Sequence, residues 1–507
     1  MPFFCYFLAN PENKLKKLLI FVLKSYYKFD IIYTLEYNTY EYKEVIYVFY
    51  GRKQELKTLE KEYLKKNSLC SIYGARRIGK TSLISEFIKD KKSIMFQAKE
   101  VSDNDNLKSF SAKILESFDR SDEYIYSSWE KAFDSAISFF KNEKGIIVID
   151  EYPYLVKANP GITSILQDII DNKITKSNIM VILSGSNVSF MEKELNDKQS
   201  PLYKRITLRM KINKMSFDEA ILFLNDYSNE DKTKFLCMFG EYPYYLSKIN
   251  NKLSFEDNIK ELLFNENSIL LKVPELVLSN SSREQGFYNS ILMALAGKKK
   301  GLTEISNIMN EEVTKVNKYI KTLTEAEIII KRETYNSKRQ TNYYILDPVL
   351  RFYYKFLLNN IEKIEAGYGQ MLYERLKADI DKFISYSFED VAISYIEFLG
   401  KNGKLGGIYY PIQNLIIDKS ELGRSIEIDG IARDGDSLLV IECKFTNEKR
   451  SIRDYEKMVE NTSIKMFEGI KKFNYYIVSK TGFDKTLTDL KKDNLHLISI
   501  DEMMSIQ

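Results

Sequence analysis

The hydrophobic pattern changes period along the chain. SLCSIY at 68–73, GIIVID at 145–150 and NIMVILS at 178–184 are nearly continuous apolar runs, as strands buried on both faces of a parallel sheet require. The first is followed by a glycine-rich loop and SLISEFIKD, an amphipathic helical pattern. From residue 287 the period becomes that of short helices: FYNSILMALAG stops at Gly297, and LTEISNIMN and EEVTKVNKYIKTL follow after brief breaks. EIIIKRETYNSKRQTNYYIL at 327–346 then reads as a β-hairpin around an Asn-Ser-Lys-Arg tip. Three helices and a hairpin predict a winged helix-turn-helix. DPVLRFYYKFLLNN at 347–360 reads as an aromatic joining helix, and NYYIVSK and LHLISI as late strands of a further sheet.

The loop after the first run changes the picture from fold to chemistry. Gly74, Ala75, Arg76, Arg77, Ile78, Gly79, Lys80 and Thr81 follow the pattern GxxxxGK[ST], with Ser82 next on the helix. Successive backbone N–H groups at such a loop and helix start form a positive nest for phosphates, and a side chain at Gly79 would obstruct their approach. Lys80 is expected to reach the β and γ phosphates of ATP, and the Thr81 hydroxyl to ligate Mg²⁺. The second run ends in Asp150 and Glu151, placed to hold Mg²⁺ through water and to polarise the attacking water. Ser184, Ser186 or Asn187, after the third run, are candidates to sense the γ phosphate; Ser186 is carried in the expected site. In SPLYKRITLRMKI, Arg205 or Arg209 is a candidate to reach the nucleotide.

FYGRKQEL (49–56), GARRIGKTSLI, IDEYPYL, SGSNVSFM, SPLYKR and GEYPYYL (240–246) follow in order the motif series of the archaeal-type ATPase family, and the chain over about 49–360 resembles it. That family lies in the STAND branch of AAA-like P-loop NTPases. The resemblance implies an ATPase whose FYGR segment, with Arg52, lies near the adenine and whose Pro243 opens a helical lid. Lys204 stands where a glycine is common in the family, which weakens a role for Arg205. The expected fold class is α/β: a P-loop AAA-like ATPase core (48–212), a helical lid (213–280), a winged helix-turn-helix with its connecting helix (281–362) and a C-terminal α/β domain (363–507).

EIDGIARDGDSLLVIECKF at 427–445 carries the second constellation. Asp434-Gly435 is a strong two-residue hairpin signal. With those two in the loop, Arg433 faces Asp436 and Asp429 faces Val440. Glu427, Asp429, Glu442 and Lys444 then share one face with Ile431, Leu438 and Val440, while Ile428, Leu439, Ile441 and Phe445 line the other. Asp429 and Glu442 become diagonal neighbours roughly 7–8 Å apart at Cα, close enough to share a cation. Charges on a strand with two apolar faces are costly unless paired or metal-bound. The set resembles the PD-(D/E)xK nuclease superfamily, so the domain is expected to be restriction-endonuclease-like, with Asp429, Glu442 and Lys444 matching its motif. The resemblance implies a second Mg²⁺ or Mn²⁺ and an acid on the first helix, for which SFEDVAISYIEFLG (387–400) offers Glu389. The alternative is a nuclease fold without cleavage that binds DNA or a partner.

Composition narrows this little. Net charge is only +4, so nucleic-acid binding would have to come from local clusters: Lys315, Lys318 and Lys321 on the third helix of the winged unit, with Lys338 and Arg339 at its tip. DNA, through this unit and the C-terminal domain, and further copies of the chain are the candidate partners. Four cysteines without a CxxC pair and a single histidine, His496, exclude disulfide scaffolds, zinc ribbons and histidine triads. LLIFVL at 18–23 is too short to span a bilayer, so the expected location is cytoplasmic, with no membrane partner. Residues 1–47 are aromatic and lysine-rich without clear period. They read as an extra segment or, preferably, as upstream sequence before the native start.

Overall fold

The structure is a computed structural model, and it describes residues 49–120, 124–141, 143–274, 284–297, 299–335, 337–417 and 423–506. The expectation for 1–47 lies outside these residues, as does the side-chain chemistry expected of Lys338 and Arg339.

Five parallel strands make the first sheet: β1 (Ser68–Tyr73), β2 (Ser93–Gln97), β3 (Gly145–Asp150), β4 (Ile179–Gly185) and β5 (Leu208–Lys211), in the order β2-β3-β4-β1-β5. Every residue of β1, β3 and β4 is buried, which is why these three read as continuous apolar runs. The edge strands β2 and β5 alternate or stay partly exposed, and the apolar-run criterion misses them.

Helices cover both faces: α1 (Lys53–Tyr63), α2 (Lys80–Ile88), α3 (Asp103–Ser117), α4 (Trp129–Phe139), α5 (Tyr152–Ala158), α6 (Ile162–Asn172) and α7 (Val188–Asn196). Ser102 and Ser128 cap α3 and α4 by accepting backbone N–H bonds. Phe110 then stacks on Trp129 at 5.6 Å in the core beside β2. Short helices follow, among them α8 (Asn229–Phe239) and α9 (Phe255–Leu263).

The middle unit has α10 (Gln285–Leu295), β6 (Lys300–Gly301), α11 (Leu302–Met309), α12 (Val313–Glu325), β7 (Ile329–Thr334) and β8 (Ser337–Ile345), with sheet order β6-β8-β7. α12 buries Val316, Ile320 and Leu323, leaving its lysines outward. Two of these are already paired along the helix: Lys315 with Glu311 at 2.8 Å and Lys321 with Glu325 at 3.8 Å.

Asp347 caps the next helix, Pro348–Phe352, by accepting the Leu350 N–H at 3.0 Å. After π-helical turns and a kink at Gly367, where φ is 83°, the chain enters α13 (Gly369–Lys401). The helix expected near 387–400 is the end of this 33-residue element, about 50 Å long. It packs on α8 and on the C-terminal sheet.

That sheet has β9 (Gln413–Ile417), β10 (Ile426–Asp434), β11 (Ser437–Lys444), β12 (Lys472–Ser479) and β13 (Leu495–Ser499), in the order β13-β12-β11-β10-β9. β9 to β11 are antiparallel and β11 to β13 parallel. α14 (Ile452–Thr462), held by a Ser451–Asp454 capping box, packs on β10 and β12.

The hairpin register differs from the expected one. Asp434 pairs with Ser437 and Ile431 with Val440, so the two-residue loop is Gly435-Asp436. Gly435 takes φ 61° at the first loop position, which suits glycine. The Asp434 carboxylate is meanwhile used by the Ile408 N–H at 2.8 Å. The shift is two residues in the pairing sum, so it preserves faces; continued one step past Gly430–Ile441 it sets Asp429 opposite Glu442 rather than diagonal to it. A bulge between Ile428 and Ile431 adds a second correction. It turns Ile428 into the same core as Ile431, Leu438 and Val440, instead of the opposite face.

Candidate functional site

β1 delivers the nucleotide loop. A Cβ on Gly74 would lie 2.2 Å from the Ile212 carbonyl oxygen, so only glycine fits this close passage of two backbone segments. Gly79 has φ 84° and faces Pro243, whose Cγ would be 3.2 Å from an added Cβ. The proline expected to open the helical segment therefore sits on the loop. Ile78 is buried under it, while Thr81 and Ser82 begin α2 beside Lys80.

Lys80 is buried, and its ammonium donates to the carbonyls of Gly74 and Ala75, both at 2.9 Å. Burial brings its pKa down to about 8 against the upward pull of Glu151 and Asp150. The Thr81 hydroxyl donates to Asp150 Oδ2 at 2.9 Å, and Asp150, at the end of β3, has no exposed surface. Hydroxyl and carboxylate thus stand together where a nucleotide-bound Mg²⁺ would need both, so the residues fit that ion. Glu151 holds φ 52° at the start of α5, an uncommon conformation for glutamate that turns its side chain toward β4. There Ser186 Oγ donates to Glu151 Oε2 at 2.9 Å. Of the three candidate sensors Ser186 is the one that meets Glu151, whereas Asn187 caps α7 and the Ser184 hydroxyl is buried without a hydrogen-bond partner among the described residues.

The arginines are placed differently from expectation. Arg52 is buried and donates to the carbonyls of Ile78 at 2.8 Å and Asn213 at 2.7 Å, and pairs with Glu55. It braces the loop from behind, because its guanidinium is taken up by the Ile78 and Asn213 carbonyls and the Glu55 carboxylate. Arg76 donates to the Tyr154 hydroxyl at 3.2 Å. Arg77 leaves the loop altogether: it donates to Tyr245 Oη and the Val273 carbonyl, each at 2.8 Å, and lies 3.4 Å from Asp347. Arg205 is corrected outright. Its neighbour Thr207 bonds Leu69, near the start of β1, so Arg205 sits at the end of the sheet remote from the nucleotide loop, clasped by Asp171. Between the loop and the middle unit lies a cavity of about 260 Å³, lined by Ala75, Arg76, Ser186, Asn187, Tyr242 and Glu325 among others.

The C-terminal acids do come together across two elements. Asp429 is buried and accepts the Cys443 N–H at 2.8 Å. Lys444 Nζ lies 2.5 Å from Glu442 Oε1 and 3.8 Å from Asp429 Oδ2. Glu389, on α13, faces the same region; burial first and Asp429 second push its pKa up to about 8. Burial likewise raises Asp429 and Glu442, while Lys444 pulls both down. The donor set suits a hard divalent cation, but among the described residues no three acid, histidine or cysteine side chains are arranged as a metal cage. The expected second metal at Glu389, Asp429 and Glu442 therefore does not fit the site as it stands. The reason is visible: Lys444 takes up the space between two of the acids. A residue that sequence reasoning missed, Lys299 of the middle unit, reaches within 3.9 Å of Glu389. Nothing in its local sequence marks it.

Beside Glu389, Asp390 points the other way and joins Arg332 at 3.4 Å and Arg351 at 3.2 Å, with the Tyr344 hydroxyl as a third donor. Among the described residues no helix is long and apolar enough to cross a membrane.

Comparison with known proteins bears on the same segments. Residues 49–249 match a family described as an ATPase domain predominantly from Archaea, and 353–459 match one described as archaeal and bacterial proteins of unknown function. The uncharacterized protein MJECL04 of Methanocaldococcus jannaschii is 30% identical over 441 residues, covering 85% of this chain and 96% of that one. An uncharacterized ATP-binding protein of the same organism, MJ0423, is 46% identical over 48 residues, 9% of this chain and 81% of that one. Among solved structures, the Walker-type ATPase paby2304 of Pyrococcus abyssi aligns over 60% of this chain and 96% of its own, at 18% identity and a TM-score of 0.49. With its nucleotide loop, its Asp150–Glu151 pair and a relative matched over nearly its whole length, the chain belongs to the archaeal ATPase family.

Proposed function

We propose that this chain binds ATP with Mg²⁺ at Gly74–Thr81, hydrolyses it, and uses the nucleotide state to govern a nuclease-like C-terminal domain that engages DNA. The observation that carries the ATPase reading is the Thr81–Asp150 contact at 2.9 Å directly beside Glu151 and the buried Lys80. Thr81 and Asp150 would hold the ion, which when bound neutralises charge on the β and γ phosphates. Lys80 trades its two carbonyl partners for phosphate oxygens. Glu151, oriented by Ser186, accepts a proton from the attacking water, and backbone N–H groups of 75–81 hold the developing charge.

The downstream half of the reading rests on chemistry and topology together. The mixed five-stranded sheet brings Asp429, Glu442 and Lys444 of one hairpin to Glu389 of the preceding helix, which agrees with a PD-(D/E)xK-like domain. The middle unit, three helices with a small antiparallel sheet, is read as a winged helix whose exposed Lys318 and Lys321 contact DNA phosphates. Incubating the full chain with supercoiled DNA and Mg²⁺ or Mn²⁺, with and without ATP, tests this. Nicking lost in Asp429→Ala and Lys444→Ala supports a nuclease; nicking that persists in both does not come from this site.

One observation favours a second reading, a STAND-type regulatory ATPase whose nuclease fold only binds a partner or DNA. The acids meet lysines rather than an open cation seat. Salt-dependent DNA binding with no cleavage under any metal would select this reading.

A further inference from the structure

Two successive arginines of the nucleotide loop go to different places. Arg77 takes φ 70°, a left-handed turn, and its guanidinium runs to Tyr245, Val273 and Asp347. Arg76 stays with the acids of the loop site. Its guanidinium donates to the Tyr154 hydroxyl at 3.2 Å, and Tyr154 lies one turn along α5 from Glu151, whose carbonyl accepts the Tyr154 N–H at 3.0 Å. Burial first, and Arg76 as well, disfavour the charge on Lys80, whereas Glu151 and Asp150 favour it, so all four groups act on one small space.

Arg76 also lines the cavity of about 260 Å³ together with Ser186, the residue that holds Glu151. The facing wall is Thr322 and Glu325 of α12 with Glu327 beside them, and Glu327 is paired with Lys211 of β5 at 2.7 Å. The space next to Glu151 is thus bounded by the chain's own middle unit. An arginine brought by a second copy would have to enter past that wall, whereas Arg76 is already inside it.

We propose that Arg76 is a catalytic residue of the ATPase, an arginine supplied in cis that binds the γ phosphoryl group during transfer, with Tyr154 as its positioning residue. The proposal deepens the ATPase reading and rests on it. In the step, the water oxygen bonds to the γ phosphorus and Glu151 takes one water proton, the other staying on the phosphate. The bond from that phosphorus to the β–γ bridging oxygen breaks, and its electron pair leaves with ADP. Charge shifts onto the bridging and γ oxygens as this happens, and the planar donors of a guanidinium meet several such oxygens at once. Because the contact is strongest at that moment, it speeds turnover more than it tightens ATP.

The test compares the full chain with Arg76→Ala, Arg76→Lys and Tyr154→Phe. It reads Mg²⁺-dependent turnover, ATP affinity, and calorimetric binding of ADP with aluminium fluoride, which mimics the transferring phosphoryl group. Arg76→Ala is expected to lower kcat by about 10²-fold or more, to keep ATP affinity within about threefold, and to lose the extra affinity that aluminium fluoride gives ADP. Arg76→Lys should recover only part of kcat, and Tyr154→Phe should lower kcat by less than Arg76→Ala does. An equimolar mixture of Arg76→Ala and Lys80→Ala chains should turn over no faster than Arg76→Ala alone, since an intact loop needs its own Arg76. Turnover restored in that mixture shows an arginine given in trans and overturns the proposal. So does a normal kcat in Arg76→Ala, or a loss confined to ATP affinity. A parent chain without Lys80-dependent turnover overturns the ATPase reading itself, and the role of Arg76 with it.

Discussion

Arg77 of the nucleotide loop lies 3.4 Å from Asp347, the residue that caps the helix leaving the middle unit. The loop that would wrap phosphate is therefore tied, 270 residues along the chain, to the connection running toward the C-terminal domain. Asp347 also accepts from the Tyr245 hydroxyl, so Asp347→Ala removes a cap and leaves two largely buried donors without that partner. The expected cost is about 2–3 kcal/mol by denaturant unfolding. Asp347→Asn keeps a capping oxygen and loses only charge, so about half that loss is expected. Equal losses would assign the whole effect to the carboxylate's charge on Arg77 and Tyr245 rather than to the cap.

Lys80 makes ATP affinity depend on pH in a definite direction. Its pKa in the nucleotide-free chain is about 8, and phosphate favours its charged form. Below pH 8 the proton is already present; above it, binding must take one up. ATP affinity should therefore fall as pH rises from about 7.5 to 9, with proton uptake visible as calorimetric heats that change with the buffer's ionisation enthalpy. Lys80→Ala should abolish both turnover and this dependence.

Glu151 and Ser186 separate binding from chemistry. Glu151→Gln keeps size and hydrogen bonding but cannot accept a proton, so turnover should fall by roughly 10²–10⁴ while ATP affinity stays within about threefold. Ser186→Ala removes the 2.9 Å bond that orients Glu151 and should lower kcat by a smaller factor. A Glu151→Gln protein with normal kcat would remove Glu151 from the mechanism.

How much of this was legible depended on which surfaces each residue meets. β1, β3 and β4 are buried on both faces and announce themselves as apolar runs, and the Gly74–Thr81 pattern is local, so both could be read directly. β2 alternates, β5 has four residues and β9 keeps an exposed position, so none carries that signal. The Asp429, Glu442 and Lys444 grouping survived a wrong register because the two-residue shift preserved the faces; the bulge that redirects Ile428 contains Gly430, a glycine inside a strand pattern that the hairpin reading leaves unused. Arg205 looked available because Asp171, its partner, lies on a separate element. Lys299 illustrates the general limit: its partner is 90 residues away, and neither residue's neighbourhood points to the other.

Glu389 supplies a final prediction, on stability. Its folded-state pKa of about 8 is above the ordinary glutamate value, chiefly through burial, so the folded chain holds a proton that the unfolded chain releases. A raised carboxyl pKa favours folding less as pH rises, and the penalty grows from about pH 4.5 until Glu389 ionises near 8. With chelator present, unfolding free energy should accordingly decline across that window by an amount on the order of a few kcal/mol. Glu389→Gln is neutral at every pH and keeps the shape, so it should flatten the decline and exceed the parent chain in stability at pH 8. The neighbouring Lys299 gives the control: Lys299→Met removes the cation facing Glu389, pushes its pKa higher still, and should steepen the parent's decline. If Glu389→Gln leaves the pH profile unchanged, Glu389 is as accessible to water as an ordinary surface glutamate, and the closed packing of the middle unit against the acid site does not hold in solution.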